Sequence, residues 1–583
     1  MRLRPSRVAG VLLALLLLWL GVGAWQVWSG VRSALSARDV IESVTARYST
    51  EQVARGEADD LLIEARDQLR SAAAALGSTR SVLVRNLPIV GRHVQVGSTL
   101  SSGGAELIDV GLELSSELRL LETQLENGDV EFVAGLNSLV APLEQLAERT
   151  RRVDFGAGGS LVAPLATAHR EAVSRQRDLL EALDRGADGA AGLAAFLEGP
   201  SRYLLFAANT SQMQSGMGSL LSVAQVEVVE GDLSVTDVTT VSDLALPAEP
   251  VELDADYAAR WGWMDPNDAW SSLGGTPRFD VTAETAARMW EASGHEPVDG
   301  VMVVDAVAVG HLAGVLGPVR VDGRLYDEAE LLRYLAHDQY LELSDDIYGD
   351  WRSYADAQVE RRDRLAAIAA QLVARLGADG VDKLDVALAL ADAARGRHVM
   401  FWSATETQQA GWRAAGFSGE LSQSSMLLSL VNRSATKADF FLQLSANVSI
   451  QRFETHSEVV VEVEVDNGLP FGEPRYVGGP HPELDLRYGE HLGVLALNIP
   501  AWARNGRVDG DTQLAVAGAD GPTRVVGSWI TVPRNESGTR VFRFDLPPEV
   551  TEINIEPGAR FPVTRWQFQG RHFDDGRPTV IEF

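Results

Sequence analysis

The chain has 583 residues, 45% of them apolar, and a formal net charge of −30. That length suggests three or four domains of roughly 150 residues, and the apolar share is enough for sizeable cores. So acidic a surface repels phosphates, which argues against nucleic acid as a partner, and the absence of cysteine excludes disulfides, thiolate metal sites and cysteine nucleophiles.

Arg2, Arg4 and Arg7 precede an uncharged run over residues 8–28. At about 1.5 Å per residue, a helix of that length spans the roughly 30 Å hydrocarbon core of a bilayer. Trp25 and Trp28 fall where an interfacial aromatic belt belongs, and the arginines place residues 30 onward outside the cytoplasm. The expectation is a single-pass cell-membrane protein, extracytoplasmic over most of its length. A cleaved signal peptide is the rival reading, but the run exceeds the usual apolar length of about 7–15 residues. Residues 1–29 are therefore assigned to a cytoplasmic tip and transmembrane anchor.

Residues 30–199 read as a helical bundle or stalk. Ala34, Ala37, Ile41, Val44 and Tyr48 share one helix stripe; Leu62, Ala65, Leu69, Ala73 and Leu76 form another. A third runs through Leu107, Val110, Leu114, Leu118, Leu121 and Leu125. Breaks at Gly56, Leu87-Pro88-Ile89-Val90-Gly91, Asn127-Gly128 and residues 156–159 favour antiparallel packing over one long coiled coil. A further helix is expected over residues 163–183.

Residues 200–438 read as an α/β domain with a helical insertion. Strands are expected at 203–207, 220–229, 233–241 and 298–305. A threonine-capped helix is expected over 282–292, and another over 306–316. Buried strands alternating with helices suggest a βαβ unit. Residues 327–397 return to helix, with Arg361, Arg362 and Arg364 on one turn. Residues 439–583 alternate apolar and polar side chains between turns, as a β-sandwich-like domain would. There Val459 to Val465 runs into Asp466-Asn467-Gly468, a hairpin signal. The expected fold class is thus α+β multidomain: transmembrane helix, extracytoplasmic helical bundle, central α/β domain and C-terminal β-sandwich-like domain.

No phosphate loop, nucleophile elbow or zinc-binding H-E-x-x-H helix is present, and no catalytic residue is assigned. Three places draw attention. Asn209, Gln212 and Gln214 lie in a polar, glycine-containing segment after a strand; either they satisfy a turn locally or they hold a phosphate or sugar. Trp263, with Trp261 and Trp270, stands beside Asp265 and Asp268; either the tryptophans plug a core, or they stack on a sugar while the aspartates hold its hydroxyls or a cation. Asp305 ends a strand, where it is either the N-cap of the next helix or a ligand-binding carboxylate. Asp299 lies about 20 Å away along that strand, too far to pair with it.

The segment beginning at Asn209 resembles a family of exported, membrane-anchored bacterial proteins common in actinobacteria, the domain-of-unknown-function family numbered four thousand and twelve. The likeness continues through Asp265 and Asp268, residues 294–305, Gly317-Pro318-Val319-Arg320-Val321-Asp322-Gly323, and residues 432–441 with Lys437 and Asp439. Gln212 and Gln214 stand where the family has glutamate and arginine, and Gly216 and Gly218 replace its paired glycines. The middle domain is also distantly similar to the LytR-CpsA-Psr phosphotransferases, which attach glycopolymers to the cell wall.

That second similarity implies phosphoryl transfer on polyprenyl-linked glycans, with Mg2+ held by Asp265, Asp268 and Asp305. Glutamine cannot supply the permanent charge with which arginines clamp a pyrophosphate. The expected function is therefore binding without a cofactor: a membrane-anchored envelope protein of unknown activity that holds a cell-wall glycopolymer or a protein partner. Asn209, Gln212, Gln214, Trp263, Asp265, Asp268, Asp305 and Lys437 are the candidate ligand-binding residues.

Overall fold

In the computed structural model the chain divides into two compact units, Met1–Ala194 and Ala195–Phe583. The structure describes residues 5–48, 52–53, 55–78, 87, 90–127, 130–236, 238–341, 351–376, 378, 381 and 383–583. Within these ranges the side chains at 5–24, 45, 126, 351–357 and 383–384 are not described.

The described part of the first unit is helical. Pro5–Arg47, Asp59–Gly77, Val90–Glu126 and Phe132–Arg151 lie within it, and Ala163–Glu198 leads out of it. Gly56 and Gly156, at two of the expected breaks, take the positive φ that favours glycine; Gly91 lies inside the helix Val90–Glu126, and Gly128 lies outside the described residues. One core joins Val110, Leu139, Leu143, Leu146 and Leu183, with Leu114, Leu118 and Leu121 packed against it. The third apolar stripe is thus the seam of the bundle. Among the described residues no helix is long and apolar enough to cross a membrane. Most of the expected span, residues 8–28, lies among side chains outside those described.

The second unit opens with a mixed sheet. Its strands lie in the order Asp232–Val235, Gly218–Val229, Ser201–Met213, Gly300–Asp305 and Val399–Ser403. Ser201–Met213 pairs in parallel with Gly300–Asp305, but the connection holds strands Gly218–Val229 and Asp232–Val235 of the same sheet as well as the helix Phe279–Ala292, so it is not the simple βαβ unit expected. That helix begins before the expected Thr282. Its N-cap is Arg278, because Phe279 and Val281 are already buried and draw the first turn onto the sheet, leaving Thr282 inside the helix.

The C-terminal region is strand-rich. Two six-stranded sheets share one core, in which Leu428 and Leu430 meet Leu444, Val461, Val463, Leu497, Phe542 and Trp566. One of the central strands, Ser425–Asn432, precedes the boundary drawn at residue 439. The hairpin expected at Asp466-Asn467-Gly468 does not form. Strand Ser457–Asn467 continues through Asp466, and its partner Leu442–Arg452 meets it at the other end, across Phe453 to His456. Asn467 is buried instead, where its Nδ2 donates to the carbonyls of Gly489 (2.8 Å) and Val532 (3.0 Å). Two such bonds in the interior outweigh a turn preference measured at the surface.

Candidate functional site: a buried cation cluster

The segment 209–213 is not a loop. It continues strand Ser201–Met213, irregular in register between Asn209 and Met213, and turns back through residues 214–217 into Gly218–Val229. The tip demands its glycines. Gly216 has φ +76°, and a Cβ on Gly218 would lie 2.3 Å from the Asn209 carbonyl carbon. This close turn presents Gln212 and Gln214 side by side. Gln214 is buried and its Oε1 has no partner; Asn209 Nδ2 is likewise buried and unpaired.

Against this tip lies the end of strand Ser425–Asn432 and the short turn Ala438–Phe441. Asp439 is fully buried and fully engaged. It accepts from Asn432 Nδ2 (2.5 Å), Met213 N (3.3 Å) and Arg560 Nη1 (3.4 Å). Lys437, two residues earlier, is 7% exposed, and its Nζ donates to Gln212 Oε1. Burial, with the neighbouring Arg361 charge added, lowers the Lys437 ammonium to about 7.

Arg361 comes from the helix Trp351–Leu376. It is buried, donating to Gln358 Oε1 (2.8 Å) and Gln339 Oε1 (3.1 Å). Its guanidinium lies 5.7 Å from the Tyr340 ring centre, Lys437 Nζ lies 5.6 Å from that of Tyr476, and the two rings are 5.7 Å apart. Such contacts soften the burial of two cations but do not neutralise it. Among the described residues no carboxylate pairs with Arg361, and Asp439 is matched by Arg560.

These groups surround a cavity of about 810 Å³ whose walls include Gln212, Gln214, Arg361, Arg362, Asn432 and Arg433. Two carboxylates also line it: Asp243, bonded by Arg362 at 2.8 Å, and Glu483, which is exposed. Three arginines thus face two carboxylates, with Lys437 behind the wall. Serine and threonine hydroxyls at Ser219, Thr240, Ser242, Ser271 and Ser272 complete a polar lining. The volume falls in the range of about 300–1,000 Å³ typical of small-ligand sites.

The other candidates lie apart. Trp261 and Trp270 are buried plugs, their indole nitrogens bonded to Asp520 Oδ2 (3.2 Å) and the Ala245 carbonyl (3.0 Å). Trp263 is 39% exposed and meets Arg433 of the cavity wall, whose guanidinium lies 5.5 Å from its ring centre. Asp265 and Asp268 are exposed. Asp305 caps the helix Ala306–Leu316: one oxygen accepts from Val307 N and Ala308 N, the other meets His398 Nδ1 at 2.6 Å. Among the described residues no group of three His, Asp or Glu side chains is placed to hold a metal ion, so these aspartates do not form the expected Mg2+ set.

Residues 198–340 match the family model described as "Protein of unknown function (DUF4012)". That segment carries the DUF4012 domain. No curated protein and no solved structure matches the chain. The DUF4012 segment contributes Asn209, Gln212, Gln214 and Tyr340 to the site; Arg361, Arg433 and Lys437 lie beyond its end. Reasoning from sequence missed Arg361, Arg362 and Arg433. The arginine turn at 361–364 in so acidic a chain was the available signal, but no pattern tied that helix to the strand tip.

Proposed function

We propose that this chain is a membrane-anchored, extracytoplasmic protein that binds an anionic ligand of the cell envelope in the cavity beside Gln212 and Gln214. The observation that carries this reading is the buried Arg361 guanidinium on the wall of a polar cavity, with Arg433 beside it and, among the described residues, no carboxylate paired to either. Uncompensated buried charge is costly, and a fold keeps it where a ligand completes it. The glutamines that stand in place of charged residues are not the source of the positive field; the insertion helix and the segment after Asn432 supply it instead.

Residues 8–28, flanked by Arg2, Arg4 and Arg7, support the anchor and the outward orientation. Asp305 is engaged as a helix cap and by His398, while Asp265 and Asp268 are exposed, which favours binding over phosphotransfer.

The test is calorimetric titration of the full chain in detergent with sulfate, a compact dianion. Binding that Arg361→Gln abolishes is the expected result. Absence of sulfate binding, or binding indifferent to Arg361→Gln, overturns the reading.

A further inference from the structure

We infer that the ligand of this cavity is an anionic sugar, its phosphate or carboxylate held by Arg361 and Arg433, with Lys437 behind Gln212, and its ring packed on Trp263 and Trp529. This rests on the anion-binding reading above and adds the ligand class to it.

The argument starts from two tryptophans that the fold does not bury. Trp529 points outward from strand Thr523–Val532, between buried Ser528 and Ile530, and remains 42% exposed. Trp263 meets it from the 3-10 turn Gly262–Met264 that follows helix Ala255–Trp261, with ring centres 5.6 Å apart and planes inclined at 56°. Its neighbours Trp261 and Trp270 are 0% and 2% exposed, so the core has no further need of an indole here. An open aromatic pair offers the broad, weakly polar face against which the C–H surface of a pyranose packs.

Arg433 joins this platform to the cavity. It lines the wall, stacks over Trp263, and among the described residues has no carboxylate partner. A ligand that bridges the two parts must therefore be anionic at one end and flat and apolar-faced at the other. The hydroxyl and amide lining, with Gln212, Gln214 and Asn432 beside five serine and threonine hydroxyls, suits sugar hydroxyls, which both donate and accept. A nucleobase would also stack on such a face, and adenosine monophosphate is the ligand that separates the two.

The test compares ligands on the full chain in detergent by calorimetry: glucose 1-phosphate, glucuronic acid, inorganic phosphate, glucose and adenosine monophosphate. Glucose 1-phosphate or glucuronic acid is expected to bind about tenfold more tightly than inorganic phosphate, the increment of one good aromatic contact. Which of the two leads identifies the anion as phosphate or carboxylate. The Trp263→Ala, Trp529→Ala double variant should bring the sugar to the level that inorganic phosphate shows on the same variant. Equal binding of sugar phosphate and phosphate, or a preference insensitive to the tryptophans, refutes the sugar while the anion site stands. Tighter binding of adenosine monophosphate than of either sugar also refutes it. Failure of every anion to bind overturns the anion site itself.

Discussion

Replacing Lys437 by methionine separates a residue kept for binding from one kept for stability. Its ammonium is lowered from the ordinary 10.5 to about 7, chiefly by burial and then by the Arg361 charge. Between those two values the unfolded chain holds a proton that the folded chain does not. Wild-type stability therefore falls as the pH drops from about 10.5 towards 7. At about 1.4 kcal/mol per pH unit the full span corresponds to about 4–5 kcal/mol. Methionine has a similar length and no charge, so the variant escapes this loss but forfeits the bond to Gln212, worth about 1 kcal/mol. The expected net gain is about 3 kcal/mol at pH 7, reversing to a small loss above pH 10.5. Urea unfolding followed by tryptophan fluorescence reads it, since of 13 tryptophans only Trp19, Trp25 and Trp28 lie in the first unit. A variant less stable than wild type at every pH would refute the reasoning.

Three further substitutions probe the frame around the site. Asp305→Ala removes two cap bonds and leaves His398 without its buried partner, so thermal unfolding should show a loss of about 3 kcal/mol, with Asp305→Asn losing less because asparagine also caps. Asp439→Asn strands Arg560, which is 2% exposed, and should destabilise by about 3–5 kcal/mol in urea titration. Trp261→Ala empties a fully buried position and should lose about 3–5 kcal/mol, whereas Trp263→Ala should change stability by less than about 1 kcal/mol in the same assay.

Periodicity made much of this fold legible before any coordinates. The Leu107 to Leu121 stripe is the bundle seam, and the apolar strand at Gly300–Asp305 lies inside the mixed sheet, because burial of a repeating face is a local signal. Turn chemistry was less dependable. Asp466-Asn467-Gly468 has the residues of a hairpin, yet Asn467 serves better inside, and only the distant carbonyls of Gly489 and Val532 show why. The same limit applied to the site. Asn209, Gln212 and Gln214 drew notice as one segment and Lys437 as another, and the fold brings the two together. Arg361 arrives from a helix some 150 residues further along than Gln212, and nothing in the local pattern of either specifies that approach.

The cation cluster makes one demand that a merely structural role would not. If an anion completes it, binding should recharge Lys437, which at pH 8 is mostly neutral, so close to one proton should be taken up per anion bound. Sulfate carries no proton near this pH, so calorimetric titration of the full chain at pH 8, in two buffers of different ionisation enthalpy, counts that proton directly. The account predicts uptake approaching one proton in the wild type and none in Lys437→Met. Sulfate binding with no proton uptake, or uptake unchanged in Lys437→Met, would contradict it.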